Sequence, residues 1–196
     1  MTVIVAVKDK DKIWVGCDSQ HTGDRLVYHL KSQPKIWQPE FDAHSIMGVS
    51  GELRDMNILS TVETWLDEFP ANQKEMDLRY VIRHIVPKMF QELEHYDRIY
   101  VENGIKRMQS TALYAYKNKA YVIFWDGSVA EVNDMAAIGC GLEFAYGAWE
   151  SLKCKKMPVK DKVIQCVKAA CNKDAYVGYP IIVRNTETDR VSVIEK

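Results

Sequence analysis

Apolar residues run almost without interruption over positions 2–7, stop at the charged stretch 8–12, and resume over 13–17. Two β-branched runs on either side of a short polar stretch predict a β-hairpin that begins at the first residues. Nearly every position in both runs is apolar, with Trp14 in the second. Both faces of these strands should therefore be covered, which puts them in the middle of a layered structure. Shorter extended segments are expected at 35–38 and 44–47.

From residue 51 the period changes. Leu53, Met56, Leu59, Val62, Trp65, Leu66 and Phe69 recur at helical spacing and predict one amphipathic helix, stopped by Pro70. A second helix is expected from about 76 to about 96, with Leu78, Val81, Ile82, Ile85, Val86, Met89, Phe90 and Leu93 on its apolar side. Pro87 inside it predicts a kink or a local break, because proline removes a donor and clashes with the preceding turn. Strand character returns at 111–116 and 119–125, and Asp126-Gly127 supplies a tight reversal into 129–132. A short apolar segment at 135–138 leads through Gly139 and Gly141 into a helix over 142–152, and another helix follows Pro158 over 159–172. Segments 181–183 and 191–194 close the chain as a hairpin. Strands, two helices, a strand group, two helices and two strands fit a layered α/β protein whose helices cover both outer faces of stacked sheets. Alternating βαβ units are not suggested. With no repeat or linker, and with 70–75 too short to divide it, the chain reads as a single domain over 1–196.

Composition narrows the function classes. With 47% apolar and 27% charged residues the chain should fold. Its 26 basic and 27 acidic residues nearly cancel, so no nucleic-acid or anionic-membrane partner is indicated. The patch of Lys153, Lys155 and Lys156 reads as a solvated turn. Cys17, Cys140, Cys154, Cys166 and Cys171 are odd in number and lack C-x-x-C spacing, so reduced thiols are expected. Neither a secretory signal nor a membrane-length apolar run is apparent, and a cytoplasmic protein follows as the expectation. His21, His29, His44, His84 and His95 make no standard ligand spacing, which disfavours a metal hydrolase, and the surroundings of Gly48 and Gly51 lack a nucleotide-phosphate pattern. No cofactor is implied.

Residues 2–7, followed by Val15-Gly16-Cys17-Asp18-Ser19, resemble the start of the N-terminal nucleophile fold in proteasome β subunits and the related bacterial two-component threonine peptidase. The resemblance covers nearly the whole chain and implies an α+β fold, a four-layer αββα sandwich. It implies that Thr2 becomes the nucleophile once Met1 is removed, and the small side chain at position 2 suits methionine aminopeptidase. Asp18 falls where the family keeps an aspartate that holds a lysine, and Lys35 falls at that lysine. Gly51 resembles the glycine whose N–H stabilises the oxyanion, with Asp55 at the short acidic position after it. Residues 139–149 resemble the glycine-rich start of the third major helix, and 174–178 look like the segment whose aspartate, here Asp174, and serine surround the threonine amine. Two positions depart from the pattern. Cys140 and Val177 stand where serines are usual, and valine has neither donor nor acceptor in its side chain.

The chemistry is consistent with these types. An α-amine with a pKa of about 8 is partly neutral near neutral pH and can take the hydroxyl proton of its own threonine. A nearby buried lysine favours the neutral amine by repulsion, and a carboxylate makes that lysine tolerable to bury. A peptide N–H such as that of Gly51 can hold the tetrahedral oxyanion. Each residue also has a plain reading: Thr2 as a strand threonine, Asp18 as a turn cap, Lys35 as a surface charge, Gly51 as a helix opener, Gly139 and Gly141 as turn glycines, Asp174 as a loop residue. Cys17 reads as a small core residue and Cys140 as lining the site without being its nucleophile. The expected function is a threonine-type endopeptidase acting through an acyl ester. The alternatives are a catalytically silent structural or binding homologue and a small-molecule amidase. By resemblance the partners would be further copies in a homo-oligomer or ring, a peptide or unfolded-protein substrate, and a ring-capping ATPase.

Overall fold

The computed structural model describes residues 1–23, 26–29, 33–39, 44–62, 65 and 76–196. The opening hairpin forms as expected: β1 (Ile4–Asp9) pairs with β2 (Lys12–Cys17) from Ile4↔Cys17 to Asp9↔Lys12, and Lys10 takes a φ of 50° in the turn. After a two-stranded ribbon, β3 (Gln20–Gly23) with β4 (Leu26–His29), come β5 (Ile36–Trp37) and β6 (Ser45–Ser50). Next are α1 (Leu53–Ser60), then α2 (Leu78–Tyr80), a π-helical turn (Val81–Ile85) and α3 (Val86–His95) in succession. A second ribbon, β7 (Tyr100–Glu102) with β8 (Ile105–Arg107), precedes the meander β9 (Thr111–Tyr116), β10 (Lys119–Ile123), β11 (Val129–Glu131). The chain continues through β12 (Met135–Ile138), α4 (Leu142–Leu152), α5 (Val159–Cys171), β13 (Ile181–Asn185) and β14 (Thr188–Ile194).

Two five-stranded antiparallel sheets result, ordered β12-β1-β2-β13-β14 and β11-β10-β9-β6-β5. The period of two along β1 explains their stacking. Ile4 and Ala6 point into the space between the sheets, where they meet Ile36, Ile46, Leu113 and Ala115. Val3, Val5 and Val7 point the other way and pack with Val163, Val167 and Ala170 of α5. On the far side, Met47, Val49, Tyr114 and Tyr121 of the second sheet pack with Met56 and Leu59 of α1 and Met89 and Leu93 of α3. The layers are thus helices, sheet, sheet, helices, the αββα sandwich expected from the sequence, and the two strands read as covered on both faces are so.

Two helix expectations change. The first helix ends at Ser60 rather than continuing towards Pro70, because Thr61 turns out of helical geometry at φ −108° and ψ 10°. The hydroxyls of Ser60 and Thr61 donate back to the Asn57 carbonyl, a local competition that favours ending a helix. Trp65 is buried in the core, while the expected stop at Pro70 lies outside the described residues. The second helix accommodates Pro87 by widening. The Val86 N–H bonds to the carbonyl of Val81, five residues back, so the turn before the proline absorbs the missing donor. Its start is fixed by the Asp77 carboxylate, which accepts from the Tyr80 N–H at 2.9 Å.

The β3–β4 and β7–β8 ribbons were not expected from the pattern. The second carries a readable signal in Asn103-Gly104, whose φ values of 52° and 79° suit a tight hairpin turn. Strand β10 stops at Ile123, two residues short of expectation, where Phe124 N–H reaches Ser128 O around Gly127 at φ 81°.

Candidate active site

Asp18 follows the last residue of β2 and is fully buried, as is Lys35 just before β5. Their pairing is bidentate, with the ammonium 3.0 and 3.1 Å from the two carboxylate oxygens. Three backbone N–H groups complete the shell. Val3 donates to Oδ1 at 3.0 Å, while Gln20 and Gly178 donate to Oδ2 at 3.1 and 3.2 Å. Burial pushes the Asp18 carboxyl above its ordinary pKa, and the Lys35 charge with the Val3 and Gly178 N–H groups pulls against it. Every contact here is a donor, so the ionised carboxylate is the form this shell fits. Lys35 spends its remaining hydrogen bonds on the carbonyls of Gln20 and, at 2.8 Å, of Met1.

Thr2 sits directly above this pair and is 4% exposed. Its carbonyl accepts from Gly141 N–H at 3.3 Å and from the Cys140 thiol at 3.5 Å, and its own N–H points at Cys140 Sγ at 3.4 Å. The close approach is possible because residue 139 is glycine. At φ 97° any Cβ there would lie 2.1 Å from the Thr2 carbonyl oxygen. Burial raises the Cys140 thiol pKa, and the Asp174 carboxylate, which favours the protonated thiol as an acceptor and as a negative charge, adds to the rise. Asp174 accepts from the Tyr176 N–H at 2.8 Å. Val177 is 2% exposed and packs with Val3 and Ala170 beneath the site.

Gly51 joins β6 to α1 at φ 144°, where a Cβ would meet Ser110 Oγ at 2.5 Å and Gln109 O at 2.7 Å. Ser110 Oγ accepts from the Glu52 N–H at 3.2 Å and donates to Asp55 Oδ2 at 2.8 Å. Arg98 Nε closes on Asp55 Oδ1 at 2.6 Å, so a buried carboxylate pins the loop that carries Gly51. A cavity of about 540 Å³ is lined by Met1, Thr2, Cys140, Gly51, Val49, Leu53 and Met56 and also by His21, Thr22 and Tyr28.

The structure therefore gathers Thr2, Gly51 and Cys140 around one cavity and sets the Asp18–Lys35 pair against the Met1 carbonyl, while Asp174 lines a neighbouring cavity and acts on the Cys140 thiol as a negative charge. Sequence reasoning did not find His21, Ser110 or Arg98. Ser110 and Arg98 act across 55 and 43 positions on Asp55, a relationship with no local signature. His21 could have been flagged, since it follows Asp18 by three positions, in β3. Among the described residues no group of acidic, histidine or cysteine side chains is arranged to hold a metal ion, and no helix is long and apolar enough to cross a membrane.

Comparison with known proteins fits this geometry. A family model described as Proteasome subunit matches residues 2–184. No curated protein matches the chain. Among solved structures, Thiobacillus denitrificans BPH in complex with epoxomicin superposes with a TM-score of 0.74 at 17% identity, over 99% of this chain and 100% of the other. Eukaryotic HslV from Trypanosoma brucei gives a TM-score of 0.69 at 20% identity, covering 93% and 98%. A Gly-1 mutant of Anbu from Hyphomicrobium sp. strain MC1 gives 0.72 at 12% identity, covering 100% and 88%.

Proposed function

Because the chain belongs to the proteasome subunit family, we propose that it is a threonine-type endopeptidase, one domain over 1–196, whose nucleophile is Thr2 freed of Met1. The observation that carries this reading is the buried Asp18–Lys35 pair, whose ammonium lies on the carbonyl of the peptide bond to Thr2. The desolvation of a buried ion pair can exceed what the pair returns in stability, which favours a functional reason for keeping one at that spot. With the amine free, Thr2 Oγ1 attacks a substrate carbonyl while its proton passes to the α-amine, directly or through water. The oxyanion is held by the Gly51 N–H, the C–N bond breaks, and the leaving amine departs with the proton. Water then attacks the ester, again losing its proton to the α-amine; the bond between the acyl carbon and Thr2 Oγ1 breaks, Oγ1 takes that proton back, and the acid product leaves. Lys35 keeps the α-amine neutral by repulsion and Asp18 orients Lys35. Cys140, backed by Asp174, positions the amine.

Further copies in a homo-oligomer or ring, an unfolded-protein substrate, an ATPase partner and a cytoplasmic setting belong to this proposal by family membership. A second reading, a homologue without turnover, is favoured by Val177 and by the thiol of Cys140 in place of stronger hydrogen-bonding groups. The deciding experiment treats Met1-free protein with epoxomicin, the compound bound in one similar structure, and reads intact mass together with peptide turnover. An adduct and turnover are expected, both lost in Thr2→Ala. Turnover unchanged in Thr2→Ala rejects the proposal, and a fully Met1-free sample that neither labels nor cleaves leaves the second reading.

A further inference from the structure

We infer that His21 is a specificity-determining residue of the Thr2 cavity, which takes a peptide side chain with an apolar body and an uncharged hydrogen-bonding tip, tyrosine foremost. The inference rests on the peptidase reading for its biological meaning, though not for its test. The floor of the cavity is apolar, since Val49 and Met56 line it and are 2% and 4% exposed. A side chain entering here gains by burying carbon against them. His21 lines the same space, and its Nε2 is enclosed without a hydrogen-bond partner among the described residues. An imidazole nitrogen left unpaired inside a protein carries a desolvation penalty that an incoming hydroxyl or amide relieves after a small turn of the ring.

Charge in the occupant is disfavoured from both sides. Glu52 lines the same cavity and opposes an anionic side chain. The Lys35 ammonium acts on the His21 ring and opposes a cationic side chain. Burial, the largest cause, together with Lys35 and, while Met1 is attached, the charged amino terminus, pushes the imidazole pKa down to about 4, so the ring is neutral near neutral pH and offers one donor and one acceptor. A long neutral side chain remains: its carbon portion lies on Val49 and Met56, and its tip meets the ring. Phenylalanine satisfies the floor and leaves the nitrogen unpaired, whereas tyrosine satisfies both.

The test uses peptides differing only at the residue whose carbonyl is attacked, with phenylalanine, tyrosine, leucine, glutamine, lysine or glutamate there. Their kcat/KM is measured on Met1-free protein, and their binding to Thr2→Ala is measured by calorimetry. Tyrosine is expected to exceed phenylalanine by about tenfold, one neutral hydrogen bond, with lysine and glutamate weakest. In His21→Phe the tyrosine advantage should vanish, and His21→Gln should restore part of it, with far-UV circular dichroism checking that each variant folds. Equal binding of the tyrosine and phenylalanine peptides to Thr2→Ala, or an undiminished tyrosine advantage in His21→Phe, overturns the inference. Tyrosine-selective binding without turnover upholds it while removing the peptidase reading, and turnover without tyrosine selectivity does the reverse.

Discussion

The ammonium of Lys35 donates at 2.8 Å to the carbonyl oxygen of Met1, the oxygen of the peptide bond that supplies the Thr2 nitrogen. While Met1 is attached, that nitrogen is an amide whose lone pair is delocalised, and it cannot act as a base. Met1 also lines the cavity in front of Thr2. Labelling by an N-terminal-threonine probe is therefore expected only in the mass species that lacks Met1. Equal turnover by Met1-bearing and Met1-free protein would rule out the α-amine as the base.

Breaking the buried pair should be costly in one direction and mild in the other. Lys35→Met leaves the buried Asp18 carboxylate with its three N–H donors but without a countercharge and is expected to destabilise by about 3–5 kcal/mol. Asp18→Asn combined with Lys35→Met should cost clearly less than the sum of the single changes, as measured by urea denaturation. Additive costs would mean that the two side chains do not act as a unit.

Gly139 and Gly147 make an opposed pair of controls. Gly139→Ala drives a Cβ into the Thr2 carbonyl at a positive φ, so loss of folded yield or of Thr2 reactivity is expected. In α4, a Cβ at Gly147 meets nothing within 4 Å, and Gly147→Ala should stabilise by about 0.8–1 kcal/mol through helix propensity. A functional, normally stable Gly139→Ala protein would show that the close approach to Thr2 is dispensable.

Two serine substitutions should diverge. Cys140→Ser keeps the contact to Thr2 with a stronger donor and acceptor, and a severalfold gain in kcat/KM is expected, with Cys140→Ala falling below wild type. Val177→Ser sends a hydroxyl into packed apolar surroundings and should lose about 1–3 kcal/mol. A rise in kcat/KM for Val177→Ser without loss of stability would place that side chain at the amine instead of in the core.

Stability should fall at both ends of the pH range for separate reasons. Burial and nearby positive charge depress the His21 pKa from its ordinary 6.5 to about 4, so the unfolded chain takes up this proton first. Its contribution is present above about pH 6.5 and is lost as pH falls towards 4. Burial pushes the Cys17 thiol up from 9.0 to about 12, so its contribution is present below about pH 9 and is lost as pH rises towards 12. Melting temperatures across pH should slope at both limbs, with His21→Phe flattening the acid one. An unaltered acid limb in that variant would assign it to other groups.

What could be read in advance follows from how local each signal is. The β1–β2 hairpin, the meander from β9 to β11 and both late helices are written in short-range periodicity, and all form. Asp18, Lys35 and Gly51 were found through a family pattern rather than through spacing, because their meeting is made by sheet packing. Where Pro87 falls, periodicity foresaw a disturbance but not its form, since a π-turn and a kink both dispose of a missing N–H. The end of α1 escaped because apolar spacing continues through Val62 and Trp65, while hydroxyls at Ser60 and Thr61 stop the backbone. Val177 stands where the family pattern has a serine near the amine, yet its side chain belongs to the packing under α5.

The first strand of this protein lies between its immediate neighbour β2 and β12, which is made far later. Thr2 is closed over by Cys140, 138 positions downstream, and the Asp18 shell takes an N–H from Gly178, 160 positions downstream. On a ribosome adding about 5–20 residues per second, the emerging amino terminus waits many seconds with one edge of its first strand unpaired. Contacts of such separation are slow to form. A chain cut short before residue 139 therefore has its threonine without the contacts from Cys140 and Gly141, and its buried carboxylate without the Gly178 N–H. The surroundings of Thr2 are thus completed only by residues made long after the strand that carries it.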